Sequence, residues 1–180
     1  LIPRVTVRDH ARGSSDPKLI WIEYGDFECP FCAKLNPVLK EALIAYPSDI
    51  QIIYRHLPIS NIHPGAYKKA LASECAGSVG GEGAFWEYHD ILYERADSGN
   101  PVSVDSLDKL AEEIGLSVSE FTNCLDSQAT SGKVDTDLRA ASAAGMEGTP
   151  TSVLIDRAGT ATVLPGVFTF KQIEEIIIPY

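Results

Sequence analysis

The sequence predicts an α/β fold in three parts: a βαβ half, an all-helical insertion, and a ββα half that completes the sheet. Three observations predict it. Two apolar runs, Leu19-Ile20-Trp21-Ile22 and Ile50-Gln51-Ile52-Ile53-Tyr54-Arg55, flank a stretch of helical spacing. That is the pattern of parallel strands joined by a right-handed crossover. Residues 61–146 then turn helical, and after Gly148-Thr149-Pro150 two more strands and a closing helix follow. The parts divide as 1–60, 61–146 and 147–180.

The elements can be taken in order. Residues 1–17 are polar apart from Ile2-Pro3-Arg4-Val5-Thr6-Val7, which reads as a short edge strand. Gly13-Ser14-Ser15-Asp16-Pro17 is a turn cluster. A strand over about 18–24 leads into a helix over about 30–46, which Tyr46-Pro47-Ser48-Asp49 ends before the second strand. In the insertion, His63-Pro64 opens a helix that Gly77 and Gly80-Gly81 end, and Ala84 to Glu94 is an aromatic-rich helix. Ser103 caps Val104 to Ile114, with Gly115 as the stop. Ser117 and Glu120 form a capping box for a short helix carrying Phe121, Cys124 and Leu125. A last helix covers about 129–144. Thr151 to Asp156 and Thr160 to Gly166 read as an antiparallel hairpin, and Phe170 to Ile178 as the closing helix.

The chemistry sits where the first strand turns into the first helix: Glu23-Tyr24-Gly25-Asp26-Phe27-Glu28-Cys29-Pro30-Phe31-Cys32. Pro30 suits the first helical position, where its missing N–H would be an orphan anyway. Cys29 is thereby the N-cap, facing unpaired amides and the positive end of the helix. A thiolate is stabilised there, and the thiolate is the nucleophile of disulfide exchange. Cys32 lies one turn on, close enough to close a disulfide. Reversible dithiol–disulfide chemistry is the favoured reading over half a zinc site or a purely structural disulfide. Zinc needs four ligands, and Cys75 and Cys124 stand alone. Exchange needs no metal and no organic cofactor.

From about Lys18 to the end, the chain resembles the DsbA-like thiol:disulfide oxidoreductases, which have a thioredoxin fold with a helical insertion. Cys29-Pro30-Phe31-Cys32 matches that family's Cys-Pro-x-Cys. Glu23 matches its buried acid, Pro37 the proline that kinks its active-site helix, and Thr149-Pro150 its cis-proline loop. The stretches Tyr54-Arg55-His56-Leu57-Pro58 and Gly83-Ala84-Phe85-Trp86-Glu87-Tyr88-His89 are similar to segments of this branch.

The resemblance implies roles for several residues. Cys29 attacks and Cys32 resolves. Glu23 relays the proton of Cys32, the alternative being an exposed strand-end carboxylate. Pro150, in cis, leaves the Thr149 backbone free to pair with an extended substrate. Pro30 and Phe31 tune the potential. Phe31 stands where the best-known oxidising members carry His and cannot stabilise the Cys29 thiolate by charge, which predicts a weaker oxidant. Asp26 and Glu28 read as solvated. His56, His63 and His89 are bases by type alone, with structural or surface roles favoured. Cys75 and Cys124 fall on different helices; a structural disulfide is favoured over two buried free thiols.

The chain has 180 residues, 44% hydrophobic and 22% charged, with a formal net charge of −10. That length suits one domain with an inserted subdomain. The acidity argues against nucleic acid and against tight binding to anionic lipid. No stretch approaches the roughly 20 apolar residues of a membrane-spanning helix. The chain starts at Leu1 with no basic-then-apolar leader. Leu1 is thus read as a maturation boundary, with any signal or anchor lying outside this sequence. The functional expectation is an extracytoplasmic enzyme of the periplasm or cell envelope that forms or exchanges disulfides in reduced or unfolded proteins. It would act as a monomer and be recycled by a redox partner. The alternatives are a disulfide reductase or isomerase and a non-catalytic peptide-binding chaperone module. Small-molecule glutathione enzymes of the same fold generally lack the second cysteine, so Cys32 counts against that branch.

Overall fold

A computed structural model describes residues 2–179; Leu1 and Tyr180 lie outside them. A five-stranded sheet has the order β1-β3-β2-β4-β5, with β1 at His10–Gly13, β2 at Leu19–Gly25, β3 at Ile50–His56, β4 at Thr151–Asp156 and β5 at Ala161–Pro165. The β2 and β3 strands are parallel, with Trp21 opposite Ile52, and all other neighbours are antiparallel. Their near-continuous burial reflects coverage on both faces.

Helix α1 (Pro30–Ala45) crosses between β2 and β3 and contains Pro37. Its buried stripe of Cys32, Leu35, Asn36, Leu39 and Ala42 recurs at helical spacing. Leu35 and Leu39 pack with Trp21, Ile52 and Leu154 on one face of the sheet, together with Ile173 and Ile177 of α7 (Phe170–Ile177). Ile22, Tyr24, Ile53 and Val153 point to the other face, against Leu138 and Ala141. Between β3 and β4 lie α2 (Ala66–Gly80), α3 (Glu82–Asp97), α4 (Leu107–Glu113), α5 (Val118–Asp126) and α6 (Ser131–Ala143).

Two expectations need correction. Residues 2–7 form no strand; the edge strand is β1. Arg55 takes the backbone acceptors a strand would need, bonding the carbonyls of Pro3 at 3.0 Å and Arg4 at 3.1 Å. Asp9 then folds Thr6–Asp9 into a turn by accepting from the Thr6 amide at 2.8 Å. Helix α2 also does not stop at Gly77. A Cβ there would sit 3.2 Å from Phe85, so the glycine serves the close approach of α3. The break comes at Gly81, whose φ of +82° favours glycine.

A disulfide joins Cys75 of α2 to Cys124 of α5, 49 residues apart in sequence. In the chain-entropy model such a loop stabilises by about 4 kcal/mol. Replacing both cysteines with serine is expected to lower the unfolding free energy by up to about that amount in denaturant titration. The titration of Cys29 should stay unchanged.

Candidate active site

The Cys29–Cys32 loop is clamped from beneath. Asp26 is buried, and its carboxylate accepts from the Glu28 amide at 2.7 Å, the Ile59 amide at 2.8 Å and His63 Nδ1 at 2.8 Å. Glu28 accepts from the Gly65 amide at 2.9 Å and pairs with Lys69 at 2.9 Å. Asp26 is thus buried rather than solvated as the sequence reading had it, while Glu28 is half-buried. Both tie the loop to residues 59–69, because the turn brings donor amides to them.

Cys29 is the N-cap of α1, with extended backbone at φ −77° and ψ 118°, and Pro30 follows in the first turn. Cys29 and Cys32 are both thiols and both buried. Cys29 Sγ donates to the Thr149 carbonyl at 3.3 Å. The Thr149–Pro150 peptide is cis, and that bond turns the loop toward the sulfur. The Cys29 thiol is pulled down to about 5, foremost by a hydrogen bond from Cys32. Burial opposes this, while the Thr149 side chain and the amides of Cys32 and Phe31 assist. Burial pushes Cys32 well up, and the Cys29 and Glu23 charges push the same way. One sulfur therefore holds charge and the other holds a proton.

Phe31 contributes through its amide. Its ring is 57% exposed, with the Lys34 ammonium 5.9 Å from its centroid. Helix-start amides and Thr149 thus lower the Cys29 pKa without a histidine at position 31. Beside this face a cavity of about 380 Å³ is lined by Met146, Gly148, Thr149, Pro150, Val163 and Gly166.

Glu23 is 1% exposed, so it is not a strand-end surface carboxylate. Burial raises its pKa to about 8; Arg12 lowers it, and Cys29 and Asp90 raise it. Gly25 follows on the same face, and a Cβ there would lie 2.6 Å from the Tyr54 ring. Only glycine lets Tyr54 and Tyr93, joined at 2.8 Å between hydroxyls, pack this closely. Each of the three candidate histidines is held by a carboxylate: His56 by Glu74 at 2.8 Å, His63 by Asp26 at 2.8 Å and His89 by Asp90 at 2.9 Å. Burial pushes His89 down to about 4, so its role is to pack as a neutral ring.

The sequence reading missed Arg12, Asn36 and Asp90. Asn36 was the most legible, a buried polar residue one turn beyond Cys32 on an otherwise apolar stripe. Among the described residues no group of three or more His, Cys, Asp or Glu is placed to hold a metal.

Two outcomes are expected. Phe31→His should lower the Cys29 pKa, read by thiolate ultraviolet absorbance. For Glu23, the folded value near 8 exceeds the ordinary 4.5. At pH 7 the folded chain therefore keeps a proton that the unfolded chain has lost, which opposes folding. Glu23→Gln should stabilise the reduced protein at pH 7, on the order of 3 kcal/mol, and give no gain at pH 4.

A family model described as Thioredoxin matches residues 5–163. The structure of Pseudomonas aeruginosa DsbA2 is 25% identical, with a TM-score of 0.76 over 96% of this chain and 97% of that one. Oxidised BdbD from Bacillus subtilis is 22% identical and shares the fold, with a TM-score of 0.79 over 95% of this chain and 91% of that one. Among curated proteins, the Na(+)/H(+) antiporter NhaA 3 of Salinispora tropica is 36% identical over 151 residues, which is 84% of this chain and 22% of that protein. NhaA of Herminiimonas arsenicoxydans is 36% identical over 143 residues, again 22% of its length. The chain thus spans about a fifth of the curated relatives it matches. With the matched fold, the helical insertion between β3 and β4, and the cysteine pair at the start of α1, the chain belongs to the thioredoxin family, in its DsbA-like branch.

Proposed function

We propose that this chain is a thiol–disulfide oxidoreductase that passes its Cys29–Cys32 disulfide to reduced protein substrates outside the cytoplasm. The observation that carries the reading is the placement of the pair, with Cys29 at the N-cap of α1, 3.3 Å from the Thr149 carbonyl, and Cys32 fully buried one turn on; this asymmetry pulls Cys29 down to about 5 and pushes Cys32 well up. A low-pKa Cys29 leaves readily and stabilises the reduced enzyme, which makes the disulfide oxidising.

The steps follow from the geometry. A substrate thiolate attacks Cys29 Sγ of the oxidised enzyme, and the Cys29–Cys32 bond breaks. Cys32 leaves as a thiolate and takes the proton of neutral Glu23. A second substrate thiolate then attacks the substrate sulfur of the mixed disulfide, and Cys29 departs as the stabilised thiolate. Two electrons have moved from the substrate dithiol to the enzyme dithiol. A redox partner removes them to restart the cycle. The cavity beside Pro150 would seat an extended substrate segment along Thr149.

The Cys75–Cys124 disulfide supports an oxidising compartment. The antiporter names attach to relatives of which this chain matches 22%. No helix among the described residues is long and apolar enough to cross a membrane, and ion transport is not carried over to this chain.

The test is equilibration of the Cys29–Cys32 pair with glutathione. A Cys29 pKa of about 5 lies between those of thioredoxin and the strongest oxidant of the fold, roughly 7 and 3.5. The potential is accordingly expected between about −270 and −120 mV. A value at or below thioredoxin's would overturn the oxidising direction. The oxidised chain should also convert a reduced, unfolded dithiol protein to its disulfide, and Cys29→Ser should abolish this. Binding of unfolded chains with no turnover would instead make the protein a peptide-binding module.

A further inference from the structure

Oxygen Oε1 of Glu23 is buried and has no hydrogen-bond partner within the protein. Such an atom demands an explanation, and the strand register offers one. His10, Tyr54 and Glu23 form one row across β1, β3 and β2, and Arg12, Ile52 and Trp21 form the next. Paired residues share a face and positions two apart return to it, so Arg12 lies on the face of Glu23, one row away.

The Arg12 guanidinium is fixed in the space between the sheet, α1 and α3. Its Nη1 donates to both carboxylate oxygens of Asp90, at 3.0 and 2.9 Å. Its Nη2 donates to Asn36 Oδ1 at 3.2 Å. The Trp86 ring lies beneath, 4.2 Å from Cζ to centroid. Asn36 is one helical turn beyond Cys32, so the anchor stands beside the resolving thiol. Two atoms of the assembly, Arg12 Nε and Asn36 Nδ2, are buried with no protein partner, as is Glu23 Oε1.

We propose that Arg12 is a positioning residue for the exchange reaction: held by Asp90 and Asn36, it sets how readily Glu23 gives and regains the proton of Cys32. The proposal rests on reading Glu23 as the proton partner of Cys32. Charged and titratable groups reach Glu23 from every element around it. Cys29 and Cys32 come from α1, Tyr54 from β3, and Asp90 and Tyr93 from α3. From β4 the facing residue is Ser152, which does not titrate. From β1, His10 stands in the same row but is held by Glu74 and Glu82, and Lys40 of α1 pairs with Asp90 at 3.2 Å; Arg12 is the cation that opposes the burial keeping Glu23 protonated. Asp90 acts with the opposite sign while holding Arg12 in place. The two members of one ion pair therefore pull the same carboxyl in opposite directions. A cation fixed here favours the carboxylate that Glu23 becomes when it gives its proton to Cys32, which is the form that takes the Cys32 proton on the return step.

The test is the titration of the Glu23 carboxyl in the reduced chain. It is followed by the side-chain carboxyl carbon resonance, assigned as the signal missing from Glu23→Gln. Arg12→Met should raise the midpoint and Asp90→Asn should lower it, each by about one pH unit. Both substitutions break the Arg12–Asp90 pair, and Asp90→Asn also loosens Lys40 and His89. A purely structural role would move both midpoints the same way or neither, and either result overturns the proposal. Arg12→Lys and Asp90→Glu keep the charges and should hold the midpoint near that of the unsubstituted chain. If the neutralising variants do not fold, these two carry the test. The pH profile for resolution of a Cys29–glutathione mixed disulfide should then match that of the unsubstituted chain, and a displaced profile overturns the proposal. Absence of exchange by the unsubstituted chain would overturn the proposed function yet leave the Glu23 midpoints readable, so the two failures are distinguishable.

Discussion

Cys29 and Cys32 compete for one proton at the start of α1, and the surrounding structure decides which sulfur keeps it. The decision needs opposite environments within one helical turn. Cys29 gets donors: the first amides of α1, the Cys32 thiol and the Thr149 side chain. Cys32 gets burial and the neighbouring Cys29 thiolate, and any charge on Glu23 pushes its pKa the same way. A helix N-terminus alone supplies only the donors. The other half requires a closed wall, which the sheet and α3 provide through Tyr54, Tyr93 and Glu23.

This constraint explains where the chain spends its buried polar groups. Asp26 and Glu28 lie within three residues of Cys29, where a free carboxylate would raise its pKa. Both are instead saturated by amides, His63 and Lys69, and so serve to hold the loop at residues 26–29. Likewise Glu74 gathers His10 at 3.0 Å and His56 at 2.8 Å, tying β1 and β3 to α2. These carboxylates stabilise the scaffold, whereas Glu23 is buried with one oxygen unpartnered, as the proposed proton exchange requires.

Much of this was legible in the sequence, for physical reasons that vary by element. The βαβ half was plain because β2 and β3 are buried on both faces and read as apolar runs. Cys29 at the helix start followed from Pro30 alone. The Cys75–Cys124 pairing was readable only as a preference, since periodicity places helices without orienting them. β1 was missed because its four residues, His-Ala-Arg-Gly, carry no apolar alternation; their inward side chains are stabilised by Glu74, Glu82 and Asp90. Arg12 was missed for the same reason. Its importance depends on a crossing of β1, α1 and α3 that no local pattern encodes. The cis geometry at Pro150 likewise came from family resemblance, since residue type alone does not set it.

The helical insertion is therefore more than a cap on the catalytic half. Helix α3 supplies Asp90 and Tyr93 to the surroundings of Glu23, and α2 supplies Lys69 to Glu28. A small rotation of α3 would alter both the wall around Cys32 and the anchor of Arg12. Two devices resist such a rotation. Arg12 spans from β1 to Asp90 on α3, and the Cys75–Cys124 bond ties α2, the packing partner of α3, to α5. The buried disulfide thus staples the insertion internally, and the tie from the insertion to the sheet is the Arg12–Asp90 pair. Exchange between the two pairs is hindered by access, because attack requires a thiolate to approach a sulfur in line and Cys75 is fully buried against Phe85 and Phe121. The same packing that keeps the structural bond out of the cycle keeps the wall around Cys32 closed.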